Sequence, residues 1–548
     1  MADLSFDVVI IGGGNKALVV AMYLTKFGGL SVGIFEERHE LGGGWSCEEP
    51  VPGYIANTCS MAHLDNYHLP VYQDIPEWKD YGARYSHTGA SVGIIYIEDH
   101  ESLLFYNSFP DADPTQEKTA KQIAKYSERD AETWLWMWEK CEKYWRPAID
   151  EWMWNPAQPF GKDDALDRLL RNRDAALDPL WLFQSPIQVY KDVFESFEMR
   201  HAFARVNQSW GFQTDMSGAG MGALLFIPYT FPIHCYVTGG SHQLAHASQR
   251  VILENGGRVF TKHPVKKIII EGGNAKGIML EDGTQIEAKH AVISSVDPYQ
   301  LCFDLIGKEH LDFKILRRIE NLERDWICIT WYTWILKEPP RFIAEKNNPD
   351  LHICMATIMG DRDLDTFIVE SAERKAGKWP SKCNTWSAYH GGSHDHMLGP
   401  EKKGTDFTVM TEQFVLPAYA MTDKEWKKME KRHAEEIIET WQKYAPNMTW
   451  DNVIGFNPVT PYYTANMCKN FAPAGNWCVI DNIPSQFGRL RPIPEIADHR
   501  MPIKNLYGTG SAWHPYGSGH SIQGYNCYKV IAEDLGLKKP WEEKGRPY

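Results

Sequence analysis

The chain lacks several features that would settle its chemistry at once. Its 548 residues hold 11 cysteines, and no two of them form a Cys-x-x-Cys pair. That absence excludes a zinc ribbon and offers no disulfide framework, so reduced thiols in a cytoplasmic protein are expected. Basic charge is short: 57 Lys and Arg against 71 Asp and Glu leave a net charge of −14. A nucleic-acid partner is thereby excluded, because neutralising phosphates needs clustered cations. No apolar run reaches the ~20 residues of a membrane span. The longest, Val8 to Leu24, is broken by three glycines, Asn15 and Lys16. No basic-then-apolar leader precedes Phe6, and no secretory signal is expected. Internal repeats, low-complexity linkers and a Gly-x-Ser-x-Gly elbow are missing too. Aromatics, by contrast, are plentiful at 13% of the chain, with 21 Trp and 25 Tyr. They suit an apolar ligand and fill a core equally well.

What is present starts at the amino terminus. Phe6 to Ile11 is a short apolar run closed by glycine, the pattern of a central parallel strand. Gly12-x-Gly14-x-x-Ala17 follows, then a helical pattern to about Phe27 that ends on Gly28-Gly29. In such a turn the first glycine bends the chain, the second admits a diphosphate, and the small third residue lets helix and strand pack. A second strand, Ser31 to Phe35, ends in Glu36, placed to accept hydrogen bonds from an adenosine ribose. Strand, turn, helix, strand and terminal acid together predict a dinucleotide site. Lys16 adds a cation where the helix macrodipole is already positive. Either a bound diphosphate offsets it or the side chain extends into solvent.

The stretch "FEERHELGGGWSCEEPVPGY" resembles the E-x-R-x-x-x-G-G signature of flavoproteins in the FAD-dependent amine oxidase superfamily. Glu37-Arg38-His39, Glu49 and Pro52-Gly53-Tyr54 bring it nearest to the branch of phytoene desaturases, carotene ketolases and carotenoid isomerases. The block from Tyr236 to Pro298 and the block from Arg489 to Gly536 are similar to that branch as well. The resemblance implies FAD as cofactor. It implies ribose and diphosphate support from Gly12, Gly14, Asn15, Lys16, Ala17, Glu36, Arg38 and Gly43, with Gly44 and Trp45 following. Val265 would offer its backbone to adenine. Gly510, Ser511, Gly519, His520, Ser521 and Ile522 would form the flavin motif, whose helix amino terminus steadies negative charge on the reduced ring. The implied fold is α/β: a Rossmann-type FAD-binding domain, discontinuous in sequence (1–75, 236–330 and 480–548), with an inserted mixed α+β substrate domain (76–235 and 331–479).

Two departures stand out. Relatives carry His-Pro-Gly-Gly-Gly where this chain reads His514-Pro515-Tyr516-Gly517-Ser518, followed by Gly519 and His520. The basic residue usual after the paired glycines is Gly44 here. Both suggest a site reshaped for something other than a long linear carotene. His514, Tyr516, His520 and His63 are the polar candidates for moving a proton, each with a structural role as the alternative.

Other stretches carry less. "SGAGMGA", Ser217 to Ala223, imitates a second dinucleotide turn but follows no apolar strand, so no NAD(P)H site is expected. His390, His394, Asp395 and His396 are read as a polar loop, and no metal site is expected. The tryptophan-rich segment from Glu132 to Trp154 reads as a core helix, a substrate-tunnel lining or an interface with a membrane or partner subunit. Thr422 and Glu425 spell a capping box opening a charged helix to about Tyr444.

The resulting expectation is an FAD-dependent oxidoreductase that takes hydride from an allylic or carbonyl-activated C–H of an apolar isoprenoid or alicyclic substrate. Water capture giving an alcohol is one variant. The alternatives are a redox-neutral C=C isomerase and a flavin-binding subunit of a hetero-oligomer. Electrons would leave to quinone, oxygen or a carrier protein. Cytoplasmic location is expected, with peripheral membrane contact left open.

Overall fold

The computed structural model describes residues 4–381, 386–399 and 407–548. Strand β1 (Leu4–Ile11) is buried from Val8 to Ile11. It passes through the glycine turn into helix α1 (Asn15–Lys26), which is buried from Asn15 to Thr25. An amphipathic surface helix would show one dry face; this one is dry all round because other helices cover it. Strand β2 (Val32–Phe35) follows and is wholly buried. Helix α2 (His242–Glu254) leads to β3 (Arg258–Phe260), then to a hairpin of β4 (Val265–Glu271) and β5 (Asn274–Leu280). β6 (Gln285–Ser294), β7 (Leu506–Gly508) and helix α3 (Ile522–Leu535) complete this layer.

β1 runs parallel to β2 on one side and β6 on the other; β3 extends β2, and β7 joins the carboxy half of β6, all parallel. The β4–β5 hairpin hangs antiparallel from the amino half of β6. Parallel strands buried on both faces place a ligand crevice at their carboxy ends, which is where the glycine turn lies. A Cβ on Gly524 of α3 would stand 2.4 Å from the carbonyl of Lys16, so α3 crosses α1 backbone to backbone.

Among the described residues a second sheet has seven strands, in the order Val453–Val459, Ile329–Leu336, Phe407–Phe414, Trp386–Tyr389, Cys354–Gly360, Ala90–Tyr96 and Ser102–Tyr106. Only the Cys354–Gly360 and Ala90–Tyr96 pair is parallel. Thus the first sheet draws on residues 4–35, 258–294 and 506–508, and the second on 90–106 and 329–459. The helix Asp423–Gln442 starts at a Thr422–Glu425 capping box and buries Trp426, Ile437, Ile438 and Trp441.

Most of the tryptophan-rich segment is core, with Trp136 and Trp138 half-buried. Helices Glu128–Lys140 and Arg146–Met153 are joined through a wider turn, and Trp134, Trp145 and Trp154 are fully buried in one apolar cluster. Ser217 to Ala223 leads into a buried helix, Gly220–Thr230, and the element before it is a helix, Phe197–Ser209, not a strand. No helix is long and apolar enough to cross a membrane among the described residues.

Candidate functional site: three connected cavities

The turn after β1 is fixed by its neighbours. Gly12 has φ +83°, and a Cβ there would meet Ser295 Oγ at 2.8 Å. Gly13 is closed off by Leu41 and donates its N–H to Glu36 Oε2 at 2.5 Å. Glu36 Oε1 accepts from the Arg38 N–H at 2.8 Å, and the Arg38 guanidinium reaches Ser46 Oγ at 3.2 Å and Glu40 at 2.9 Å. A Cβ on Gly14 or Gly44 would meet no atom within 4 Å. At those two positions the side chain is missing where the protein leaves room, not where it is crowded. The adjoining cleft, about 660 Å³, is lined by Gly12, Gly14, Glu36, Arg38, Gly43 and Val265 among others.

A narrower space of about 50 Å³ continues from it, sharing Gly14, Gly43 and Ser295. One wall is Gly14, Asn15, Lys16 and Gly44; the other is Gly510, Ser511, Ser518 and Gly519. The Lys16 ammonium donates to the Ser518 carbonyl across this space, so the side chain does not extend into solvent. Burial pushes the Lys16 amine down to about 7. The Trp45 indole N–H donates to the Gly519 carbonyl at 2.6 Å. Ala17 packs inside α1, and Ser521 and Ile522 open α3 behind the Gly517–Gly519 turn. Arg491, absent from the expected set, is fully buried beneath this wall. Its guanidinium donates to the carbonyls of Ser511 at 2.8 Å, Cys478 at 3.0 Å and Gln486 at 2.9 Å. Burial pushes it down to about 10. A chain reading could not find it, because an arginine that bonds only carbonyls has no partner of opposite sign to suggest it.

The third cavity, about 130 Å³, lies between the Gly517–Gly519 turn and the second sheet and shares Cys59, Trp477, Ser518 and Gly519 with the narrow space. Its walls are largely apolar: Met61, Val92, Ile327, Trp331, Met355 and Ile358. His234 also lines it. Its Nδ1 lies 2.6 Å from Ser91 Oγ and 3.3 Å from the Phe231 carbonyl. A carbonyl only accepts, so Nδ1 carries the proton and Nε2 keeps a lone pair. Burial pushes His234 down to about 4, leaving it neutral at ordinary pH.

The family pattern described as flavin containing amine oxidoreductase matches residues 18–323. The chain belongs to this family. It is 24% identical to a limonene dehydrogenase subunit of Castellaniella defragrans, over 98% of this chain and 96% of that one. It is 29% identical to a 4,4'-diapophytoene desaturase of Methylomonas over 19% of this chain and 20% of that one. Among solved structures, an oxidoreductase of Methanosarcina mazei shares the fold, with a TM-score of 0.58 at 15% identity over 97% of this chain and 100% of that one. The cofactor of this amine oxidoreductase family member is FAD, and the chain is an FAD-dependent oxidoreductase of the carotenoid-desaturase-like branch. The residues present fit that cofactor: open space above Gly14 and Gly44, a large cleft lined by Glu36 and Arg38, and the basic side chain of Lys16 on the narrower space that continues from it.

The four proton-transfer candidates are not brought together on a cavity wall. Tyr516 is turned away from the cavities, its ring stacked on Phe487 at 5.8 Å, and its phenol is pushed up by burial. His520 is wedged edge-on between Tyr516 at 4.8 Å and Tyr67 at 5.3 Å. Glycines at 517 and 519 cause this: the turn passes so close to Cys478 and Ser60 that bulky neighbours must point to its far side. Tyr516 and His520 therefore line none of the three cavities. His514 lies in a separate outer pocket and its Nε2 contacts the Trp152 carbonyl at 3.0 Å. His63 sits behind Gly519, with Nε2 3.3 Å from Ser241 Oγ, and burial pushes it down to about 4.

His390 and His394 are engaged with protein, at 2.9 Å from Thr357 Oγ1 and 3.0 Å from the Cys354 carbonyl. The His396 side chain lies outside the described residues. His234, missed by the sequence reading, sits in "FPIHCYV", where one histidine in an apolar strand signals only a core residue.

Proposed function

We propose that this oxidoreductase removes hydride from an activated C–H of a small, single-ring or short isoprenoid substrate held in the third cavity. The observation that carries the reading is that cavity itself: about 130 Å³, mostly apolar, and sharing Ser518 and Gly519 with the space beside the dinucleotide turn. An apolar cavity of ~150 Å³ takes one benzene ring, whereas a long linear carotene is several times larger.

Bound FAD supplies the two-electron acceptor. The residues of the chain do the rest. Gly12, Gly14, Glu36 and Arg38 would hold the adenosine and diphosphate end, and Val265 would offer its backbone to the base. Lys16 offsets diphosphate charge, and the buried cation of Arg491 with the amino terminus of α3 favours negative charge in the flavin-motif wall. Trp331, Ile358 and Met355 exclude water around the reacting carbon. The Nε2 of His234 accepts the proton that leaves when a desaturated product forms. The electron acceptor is a second partner, of the quinone, oxygen or carrier-protein class.

Anaerobic mixing of the FAD-loaded protein with a panel of alicyclic and short isoprenoid compounds tests this. Loss of the oxidised-flavin absorbance with a ring-sized compound, and none with a C40 carotene, is expected. Bleaching by the carotene alone overturns the size argument. A second reading, a flavin subunit working within a hetero-oligomer, is favoured by several large apolar side chains that are exposed. Phe160 is 66% exposed, Leu180 54% and Phe183 75%. The relative from Castellaniella is itself named as one subunit of its enzyme.

A further inference from the structure

Across the floor of the third cavity four strands set their side chains in a row. Trp331 pairs with Glu412, Glu412 with Ser387, and Ser387 with Ile358 in the sheet register. Partners in register share a face, and Tyr389, two residues beyond Ser387, shares it as well. The row is therefore apolar at both ends and polar in the middle. The Tyr389 hydroxyl donates to Glu412 Oε2 at 2.9 Å. Arg205 comes from the helix Phe197–Ser209 and donates to Glu412 Oε1 at 3.1 Å, Ser387 Oγ at 3.0 Å and Ser209 Oγ at 2.8 Å. The Arg205 and Glu412 side chains are each 1% exposed, and Glu412, Ser387, Tyr389 and Ser209 all line the cavity.

A buried ion pair is a poor way to stabilise a fold, since apolar replacements of equal volume are often as stable or more so. A cavity meant only for hydrocarbon would do better without one. Arg205 neutralises the carboxylate, so the cluster suits a neutral group rather than an ammonium. Each Glu412 oxygen has a lone pair beyond the one already engaged, and the Ser387 hydroxyl accepts from Arg205 while keeping its own O–H to donate. Acceptor and donor thus stand side by side. A hydroxyl, which donates and accepts, matches both; a ketone matches one and a hydrocarbon neither.

We propose that Glu412 and Ser387, held by Arg205 and Tyr389, bind a hydroxyl group of the substrate, which is then an alicyclic or isoprenoid alcohol. This rests on the reading of the third cavity as the substrate site. The probes are cyclohexanol, cyclohexanone and methylcyclohexane, titrated into FAD-loaded full-length protein and followed by flavin difference spectra and calorimetry. Cyclohexanol is expected to bind about 10- to 100-fold more tightly than methylcyclohexane, with cyclohexanone between. Glu412→Ala would strand Arg205 and could unfold the sheet, so the variants are Ser387→Ala and Tyr389→Phe. Each should weaken cyclohexanol at least about fivefold and leave methylcyclohexane unchanged. Equal binding of alcohol and hydrocarbon, or equal weakening of both in the variants, overturns the hydroxyl site while the cavity reading stands. Failure of all three compounds to bind, with FAD in place, overturns the cavity reading and the hydroxyl site with it.

Discussion

Lys16, in the first turn of α1, donates from its ammonium to the carbonyl of Ser518, 502 residues further along the chain. The contact ties the amino-terminal glycine turn to the carboxy-terminal flavin motif across the narrow cavity that both line. It also answers what a lysine does at a helix end that is already positive. Cation and dipole converge on one space, which favours an anion there.

That arrangement makes FAD binding depend on pH. In the FAD-free protein burial pushes Lys16 from 10.5 down to about 7. The unfolded chain therefore holds the extra proton between about 7 and 10.5. Across that window the contribution of Lys16 to FAD-free stability rises with pH, its penalty being complete below 7. A diphosphate restores the charged form, so binding takes up a proton above pH 7, and affinity should fall by up to ~10-fold per pH unit. Lys529 is likewise pushed down to about 7, but its ammonium bonds Asn155 and the Trp154 carbonyl, off the cavity walls. Titration calorimetry between pH 6.5 and 9.5, in two buffers of different ionisation enthalpy, should show the proton uptake in wild type and Lys529→Met and its loss in Lys16→Met. An unchanged profile in Lys16→Met would disprove the assignment.

Gly14→Val separates cofactor from fold. Gly14 has ordinary extended geometry, φ −68° and ψ 169°, and an added Cβ meets nothing within 4 Å. The variant should fold with an FAD-free melting temperature close to that of FAD-free wild type, yet retain no flavin. If it holds FAD at wild-type stoichiometry, the diphosphate does not pass over Gly14.

His234→Gln tests the proton acceptor. Glutamine keeps a hydrogen-bond partner near Ser91 but has no basic nitrogen. Flavin reduction in FAD-loaded variant should slow by roughly 10²–10⁴-fold with substrate binding retained. With His234 pushed down to about 4, its base form is complete above that value. Wild-type reduction should show no inflection from this group between pH 6 and 9, and should fail only towards pH 4. A stopped-flow rate in His234→Gln within threefold of wild type would remove the residue from the mechanism.

Legibility in the sequence followed the range of the cause. The Gly12–Gly14 turn, the α1 stop near Gly29 and Glu36 after β2 are local backbone requirements, and the chain shows them in order. The order of the strands is less accessible, because β7 pairs with β6 across the long stretch of chain that carries most of the second sheet. Nothing in the chain marks Glu412: it is strand register that sets it beside Ser387 and helix packing that supplies Arg205. Tyr516 and His520 are candidates because they stand where relatives carry small residues, but a substitution pattern carries no direction. The steric limit at Gly519, where a Cβ would stand 2.2 Å from Ser60 Oγ, turns the turn's side chains outward.

His520 is the sharpest test of that limit. Its ring is fully buried and touches the Tyr67 and Tyr516 rings edge-on, and burial holds it well below the usual histidine range. As a neutral packing group on the far side of the turn, it should matter to stability and not to proton transfer. His520→Ala leaves a void among aromatics and should cost about 2–4 kcal/mol, by comparison with other large-to-small core changes. His520→Phe fills the same space without a titratable nitrogen and should recover most of that loss. In both variants the fraction that retains FAD should be reduced by substrate at the wild-type rate, while total flavin content follows the melting temperature. A loss of 100-fold or more in the reductive half-reaction of fully loaded His520→Phe, at unchanged melting temperature, would show that the ring reaches the reacting atoms after all.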